Sequence, residues 1–302
     1  MGKAAQSVKD EITLRGAVIS HIGCVRGNNE DNFYFNGDFM DFKEVNQGAA
    51  FRVDSIREHH LLCICDGMGG LEGGERAAGL AVQEIGKLDK PYSIQDISLQ
   101  IDSFARDISE KIQQDANQKE GKNKEGTTMA LAYLTGGTMH VANVGDSRVY
   151  VLRNGILNQV SMDQTQLYQR MLTGQLTREQ LRKHPDSNKI DHYLGMPQDR
   201  ISKDFVFHKN CSLCGNDRVF LCSDGISDLI PHEQMEHILY NNASPMDAAR
   251  QMVEVALEMS GKDNATVIVV DVLGLHLPMA TPASLAALTL LHENTATINT
   301  TQ

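Results

Sequence analysis

The chain is 302 residues long, enough to bury a sizeable core in one large domain or two modest ones. Apolar types make up 41% and charged types 22%, ordinary globular values that exclude wholesale disorder. Lys plus Arg number 28 against 39 Asp plus Glu, and the resulting formal charge of −11 excludes a large surface for nucleic acid or anionic lipid, as does the scarcity of aromatic stacking platforms.

Residues 1–14 read as an extension: the first ten lack the apolar centre of a secretory leader, and Gln6 breaks the N-myristoylation pattern. Strand-like runs follow at 17–21, 33–35 and 60–65, rich in Val, Ile, Leu and Tyr and closed by Gly, Asn or Asp. Helices are expected at 75–88 and at 94–112, where Ile94, Ile97, Ile101, Phe104, Ile108 and Ile112 recur at steps of three or four. Strands return at 128–134, 138–144 and 148–153, with Thr135-Gly136-Gly137 and Arg153-Asn154-Gly155 as hairpin turns. The polar stretch 164–189 reads as a short helical insertion. Strands at 205–208 and 219–223 precede helices at 232–240 and 245–259, the second opened by Ser244-Pro245, and a last strand at 265–273.

This order predicts an α+β fold with largely antiparallel sheets, a single domain over 15–273 and an appendage over 274–302. The appendage begins inside an uncharged run, 272–291, which is long enough on paper to cross a membrane. Gly274, Pro278 and Pro282 interrupt it, and once the last strand is subtracted only 283–291 remains, fit for a short helix. The six cysteines are too sparse for a disulfide scaffold. Cys63, Cys65 and Cys222 sit in apolar runs as packing residues, and Cys211-Ser-Leu-Cys214 is a lone pair without the second pair a zinc site needs. A cytoplasmic chain is the expectation.

Three apolar strands run directly into an acid: Asp66, Asp146 and Asp224, while Asp263 stands just before the final strand. An acid after one strand and an acid before its antiparallel neighbour share an edge of the sheet, so the four can converge. Converging carboxylates repel unless a proton or a cation lies between them, and hard oxygen ligands suit Mg²⁺ or Mn²⁺. Asp228 follows Asp224 by four and shares its face if a helix begins there. Arg26, in the polar run Arg26-Gly-Asn-Asn-Glu-Asp-Asn32, is suited to gripping a phosphoryl group, and the plainer reading is a surface ion pair. Glu30 and Asp31 either hold metal-bound waters or pair with that Arg. The glycines of Asp66-Gly-Met-Gly-Gly70 and of Gly73-Gly74 match neither the phosphate-loop nor the dinucleotide pattern, which disfavours ATP and NAD. They let the backbone approach ions closely, with the Gly67 carbonyl a ligand.

At these positions the sequence resembles the PPM family, the type 2C metal-dependent Ser/Thr protein phosphatases, in its bacterial form. The resemblance rests on Arg26-Gly-Asn-Asn-Glu-Asp-Asn32, Asp66-Gly-Met-Gly-Gly70, Gly73-Gly74, Gly126-Thr-Thr128, Asn143-Val-Gly-Asp-Ser-Arg148, Cys222-Ser-Asp-Gly225 with Asp228, and Asp263-Asn-Ala-Thr266, in family order. It implies a sandwich of two antiparallel sheets flanked by helix pairs, with a helical flap over 162–194. It further implies that Asp66 bridges two Mn²⁺ or Mg²⁺ ions and that Gly67 adds its carbonyl to one of them, while Asp224 and Asp263 complete the coordination of the other ion and Glu30 and Asp31 act mainly through metal-bound water. Asp146 and Asp228, with Asp224, match a third metal position, and Arg26 matches the phosphate-gripping residue. A water between the ions then attacks phosphorus in line, with no covalent phosphoenzyme.

Two departures stand out. Met68 replaces a His that eukaryotic members often carry and cannot donate a proton to the leaving group. The flap reads Ile190-Asp-His-Tyr-Leu-Gly195, less basic than in bacterial relatives, and His184 and His192 are catalytic candidates against the plainer reading of surface histidines. The expected partner is a phosphorylated protein, a Ser/Thr kinase or its targets, with no nucleic acid, no membrane span and a monomeric state. The rival from another class is a pseudophosphatase of the same fold that binds a partner without turnover. The intact acids and Arg26 argue against it.

Overall fold

The computed structural model describes residues 11–41, 43–69, 73–118, 125–182, 184–186 and 189–276. In chain order the elements are β1 (Glu11–His21), β2 (Asp31–Phe35), β3 (Ala49–Arg57), β4 (His59–Met68), α1 (Gly74–Ile85), α2 (Ile94–Asn117), β5 (Gly126–Thr127), β6 (Met129–Thr135), β7 (Thr138–Val144), β8 (Arg148–Arg153), β9 (Ile156–Gln159), α3 (Gln166–Leu172), α4 (Arg178–Arg182), β10 (Phe207–Ser212), β11 (Arg218–Cys222), α5 (Asp224–Ser227), α6 (His232–Asn241), α7 (Pro245–Met259) and β12 (Ala265–His276). One sheet has the order β3-β1-β12-β11-β8-β9, and the other β10-β7-β6-β4-β2 with β5 beside β4. Every pairing in both is antiparallel.

The expected α-β-β-α sandwich is what forms, and strand alternation explains why. In β4, Leu61, Cys63 and Cys65 face α1 and α2, packing with Ala78, Val82, Ile101 and Ile108. Leu62 and Ile64, one step out of phase, face the other sheet and meet Val18, Leu221 and Ile268. In β12, Val267 and Val269 meet Met252 and Val253 of α7, while Ile268 and Val270 point between the sheets. A central strand buried on both faces is a continuous apolar run, which is why these strands stand out in the sequence. Both hairpin turns have the twist that such strands favour: Gly136 and Gly137 have φ of 52° and 74°, and Asn154 and Gly155 have φ of 53° and 80°.

The differences from expectation lie mostly at the edges. β3 and β9 have no counterpart among the expected strands, and β10 starts two residues after the expected 205 and runs to Ser212. All three are edge strands, with one face exposed and Arg52, Asn158 and Lys209 interleaved in them. β1 begins at Glu11 and pairs with β12 as far as His276, so the sheet overruns the expected boundaries at 15 and 273 on both sides. The short helix expected over 283–291 lies outside the described residues. Among the described residues no helix is long and apolar enough to cross a membrane.

One packing detail ties the fold to the acids. A Cβ on Gly225 would lie 1.9 Å from the Asn264 carbonyl oxygen, backbone against backbone, so the first turn of α5 seats directly on the loop before β12. We expect Gly225→Ala to cost about 1–3 kcal/mol in urea unfolding, because neither backbone can yield cheaply. An unchanged midpoint would mean that this approach is slack.

Candidate active site

The acids are delivered by strand ends, as their sequence positions require. Asp66 lies in the last turn of pairing in β4, opposite Asp31 of β2. Its backbone is clamped: its N–H donates to Thr128 Oγ1 at 3.0 Å, and its carbonyl accepts from Thr127 Oγ1 and Thr128 N–H, both at 2.9 Å. Asp224 opens α5, and the Asp228 N–H donates to its carbonyl at 2.8 Å, so the two are one helical turn apart. Asp263 is held from two sides, by the Asn264 N–H at 2.9 Å and by Arg26 Nη2 at 2.8 Å.

Asp66, Asp146, Asp224 and Asp263 line one cavity of about 360 Å³, with Arg26, Glu30, Gly67, Met68, Thr128 and Ile190. The structure thus brings together most of the residues singled out in the sequence. Asp31 is not among them: it is wholly buried behind the wall, where its Oδ2 accepts from Ser223 Oγ at 2.7 Å and its Oδ1 has no hydrogen-bond partner among the described residues. Asp228 lies beyond the other end, lining a neighbouring cavity. Neither His184 nor His192 lines the acid cavity. His184 Nδ1 accepts from the Asp186 N–H, and the His192 ring packs on Phe205.

Burial and mutual repulsion set the charge of this site. Desolvation first, then Asp31, Asp224 and Asp146, hold the Asp66 carboxyl well above the usual carboxylate range. Asp224 is raised in the same way by burial and by Asp146 and Asp228, and its carboxyl is in hydrogen-bonding contact with that of Asp66. Two carboxyls in such contact repel when both are ionised, and a proton or a cation between them relieves the repulsion. Asp146 is pushed up to about 7 by burial and by Asp163, and Glu30 to about 7 by burial and by Glu75. Asp31 rises to about 6 for want of solvent. Among the described residues no three His, Cys, Asp or Glu side chains already form a closed ligand set. The charge that reaches the cluster from the protein is the Arg26–Asp263 pair, with the Arg26 side chain 46% exposed at the cavity rim.

Three supporting residues carried no role in the sequence reading. The Asn264 carboxamide accepts from the Glu30 N–H at 2.8 Å and donates to the carbonyls of Ile22 and Asn28, lacing the Arg26 loop to β12. Ser223 bridges Asp31 and the Thr266 N–H. Glu75, in the first turn of α1, is buried, its Oε2 has no hydrogen-bond partner among the described residues, and it raises Glu30. Its only signal is an acid placed directly after Gly73-Gly74. Gly67 is required by space: a Cβ there would lie 2.2 Å from the Gly74 carbonyl and 2.5 Å from that of Glu30.

The family model for protein phosphatase 2C matches residues 43–262. The chain is 27% identical over 254 residues to the serine/threonine phosphatase stp of Listeria innocua, spanning 82% of this chain and 92% of that one. The crystal structure of the Mycobacterium tuberculosis serine/threonine phosphatase PstP is 29% identical, with a TM-score of 0.72, and the match covers 87% of this chain and all of that one. A second structure, the PstP catalytic domain in complex with two manganese ions, is 29% identical with a TM-score of 0.70 and the same coverage. With a family match over most of its length and relatives of the same name on the same fold, the chain belongs to the protein phosphatase 2C family, whose members are protein-serine/threonine phosphatases.

Proposed function

We propose that the chain removes phosphate from phosphoserine and phosphothreonine in proteins with two divalent cations, Mn²⁺ or Mg²⁺, seated in the acid cavity. The observation that carries this reading is the convergence of Asp66, Asp146, Asp224 and Asp263 on one cavity against their own repulsion. The donor set fits such ions: it is all oxygen, its carboxyls raise one another, and Asp31 Oδ1 behind it is buried with no hydrogen-bond partner among the described residues. Asp66 would be shared by both ions, with the Gly67 carbonyl on one side and Asp224 and Asp263 on the other. Glu30 and Asp31 would hold them through water, and Asp146 with Asp228 and Asp224 would offer a third position. Bound there, the cations supply positive charge against the phosphoryl oxygens and a water acidic enough to attack phosphorus.

The chain's own groups do the rest. Arg26 stands at the rim with its guanidinium on Asp263, and a phosphoryl group arriving there offers it a second anion at bidentate geometry. Thr128 and Asn264 keep Asp66 and Glu30 from drifting as charge changes. Ile190 brings the flap to the cavity wall, where it narrows the approach of water. Met68 lines the cavity and holds no proton to give. The same reading takes the chain as a cytoplasmic monomer opposing a Ser/Thr kinase. All six cysteines are free, three of them buried as packing residues, which suits a reducing compartment.

A carboxyl raised on folding stabilises the protein only while protonated. With chelator present, stability contributed by Glu30 and Asp146 is therefore full below about 4 and lost as pH rises through about 7. Asp66→Asn removes one member of the crowd. We expect it to raise the Tm measured with chelator at pH 8 by about 2–4 °C, on roughly 1 kcal/mol of relieved repulsion, and to abolish Mn²⁺-dependent phosphate release from a phosphothreonine peptide. Near-wild-type release would contradict the assignment. Arg26→Ala should lower kcat/KM by about 10–100-fold, the loss of one charge-assisted contact. An unchanged value would leave Arg26 as a surface ion pair.

A further inference from the structure

The first residues of the flap are tied to the loop that presents Asp146. Met162 exchanges two hydrogen bonds with the Asn143 carboxamide: its N–H donates to Oδ1 at 3.1 Å and its carbonyl accepts from Nδ2 at 2.8 Å. Asp163 accepts from Arg148 Nε and Nη2 at 2.6–3.0 Å. Gln164 reaches further. It lies just before Thr165, the residue that caps α3, and is 6% exposed. Its N–H donates to the Gly145 carbonyl at 2.9 Å, and its Oε1 accepts from the Gly145 N–H at 2.8 Å. Its Nε2 donates to the Phe205 carbonyl at 2.9 Å, and its own carbonyl accepts from the Asp191 N–H at 2.8 Å. Both partners of the side-chain amide are backbone groups, one a donor and one an acceptor, so the amide can sit only one way round.

These bonds lead to two residues of one cavity. Gly145 directly precedes Asp146, and Asp191 directly follows Ile190, which also forms an antiparallel bridge with Thr165. Asp146 and Ile190 both line the acid cavity. The side towards Asp146 has further support, because Ser147 Oγ lies 2.7 Å from Thr128 Oγ1, the atom that also accepts from the Asp66 N–H. We propose that Gln164 is a positioning residue for the phosphatase reaction, fixing where Ile190 stands relative to Asp146 at the cavity wall. The proposal rests on the phosphatase reading above. A phosphoprotein is far larger than a cavity of about 360 Å³, so the residues flanking its phosphoresidue lie at the mouth, within reach of a partly exposed Ile190. A small phosphate ester has no such flanks. Gln164 therefore acts on protein substrates through Ile190, while the acids and Arg26 serve both kinds of substrate.

The test compares a phosphothreonine peptide with p-nitrophenyl phosphate, both at saturating Mn²⁺. Contacts between peptide flanks and Ile190 are made before and during reaction alike, so their loss appears in KM rather than in kcat. Gln164→Ala should raise KM for the peptide about fourfold, the change expected for roughly one methylene of lost apolar contact. Its kcat, and kcat/KM for the small ester, should stay within about twofold of wild type. Ile190→Ala should give the same split, and the double variant should be no worse than either single one. Gln164→Asn keeps the amide but is one methylene short of both backbone partners, and it should show the split more mildly where the Ala variant does not fold. Misfolding lowers kcat for both substrates together and leaves KM alone, so it cannot imitate this result. An unchanged peptide KM in Ile190→Ala, or in a folded Gln164 variant, would overturn the proposal. Equal losses on both substrates would also overturn it and make Gln164 a support of the acids alone, and so would additive effects in the double variant. No Mn²⁺-dependent release from either substrate by the wild-type chain would overturn the phosphatase reading and the positioning role with it.

Discussion

Four carboxylates at one edge of a β-sandwich repel one another, and much of the local architecture exists to hold them there. Asp66 is clamped through its backbone to Thr127 and Thr128, so its position does not depend on its charge. Asp224 is fixed by the closest backbone approach in the neighbourhood, Gly225 on Asn264. Asn264 in turn laces the loop that carries Arg26 and Glu30. None of these contacts neutralises charge. They supply rigidity, and the repulsion is relieved by protons on the raised carboxyls, by Arg26 and, when cations bind, by the metal. A site built this way exchanges protons for cations without moving its frame.

The central elements were legible because burial on both faces writes a continuous apolar run. β4, β11 and β12 could be read with their acids attached, since an Asp directly after such a run has only the sheet edge to occupy. The helices declared themselves through periodicity and, for α7, through Ser244-Pro245, where Ser244 Oγ accepts from the Asp247 N–H; the matching cap at Ser93, which accepts from the Asp96 N–H, went unread. Edge strands were less legible for the opposite reason. β3, β9 and β10 lie at sheet edges, are at most half-buried apart from Leu157, interleave polar residues and resemble loops until a partner strand is in place.

Within the site, sequence placed residues on the correct edge but could not assign their depth. Asp31 and Asp66 are register partners across β2 and β4, yet Asp66 faces the cavity and Asp31 lies wholly buried behind it against Ser223. Asp228 shares a helical turn with Asp224, yet it lines the adjoining space. Which side of a wall a carboxylate takes is decided by packing from distant segments, here α5 and the flap, and no local pattern encodes it. Glu75 shows the same limit, because its effect on Glu30 depends on the glycine turn that brings α1 against the Arg26 loop.

The most direct test of the account is isothermal calorimetry of Mn²⁺ binding in buffers of differing ionisation enthalpy, from pH 6 to pH 8.5. If cations replace the protons that hold this cluster together, binding at pH 6 releases about one proton or more, and the release falls as pH rises through about 7, where Glu30 and Asp146 ionise. Binding with no proton release at pH 6, or release that does not change with pH, would show that the acids are not the groups the metal displaces protons from.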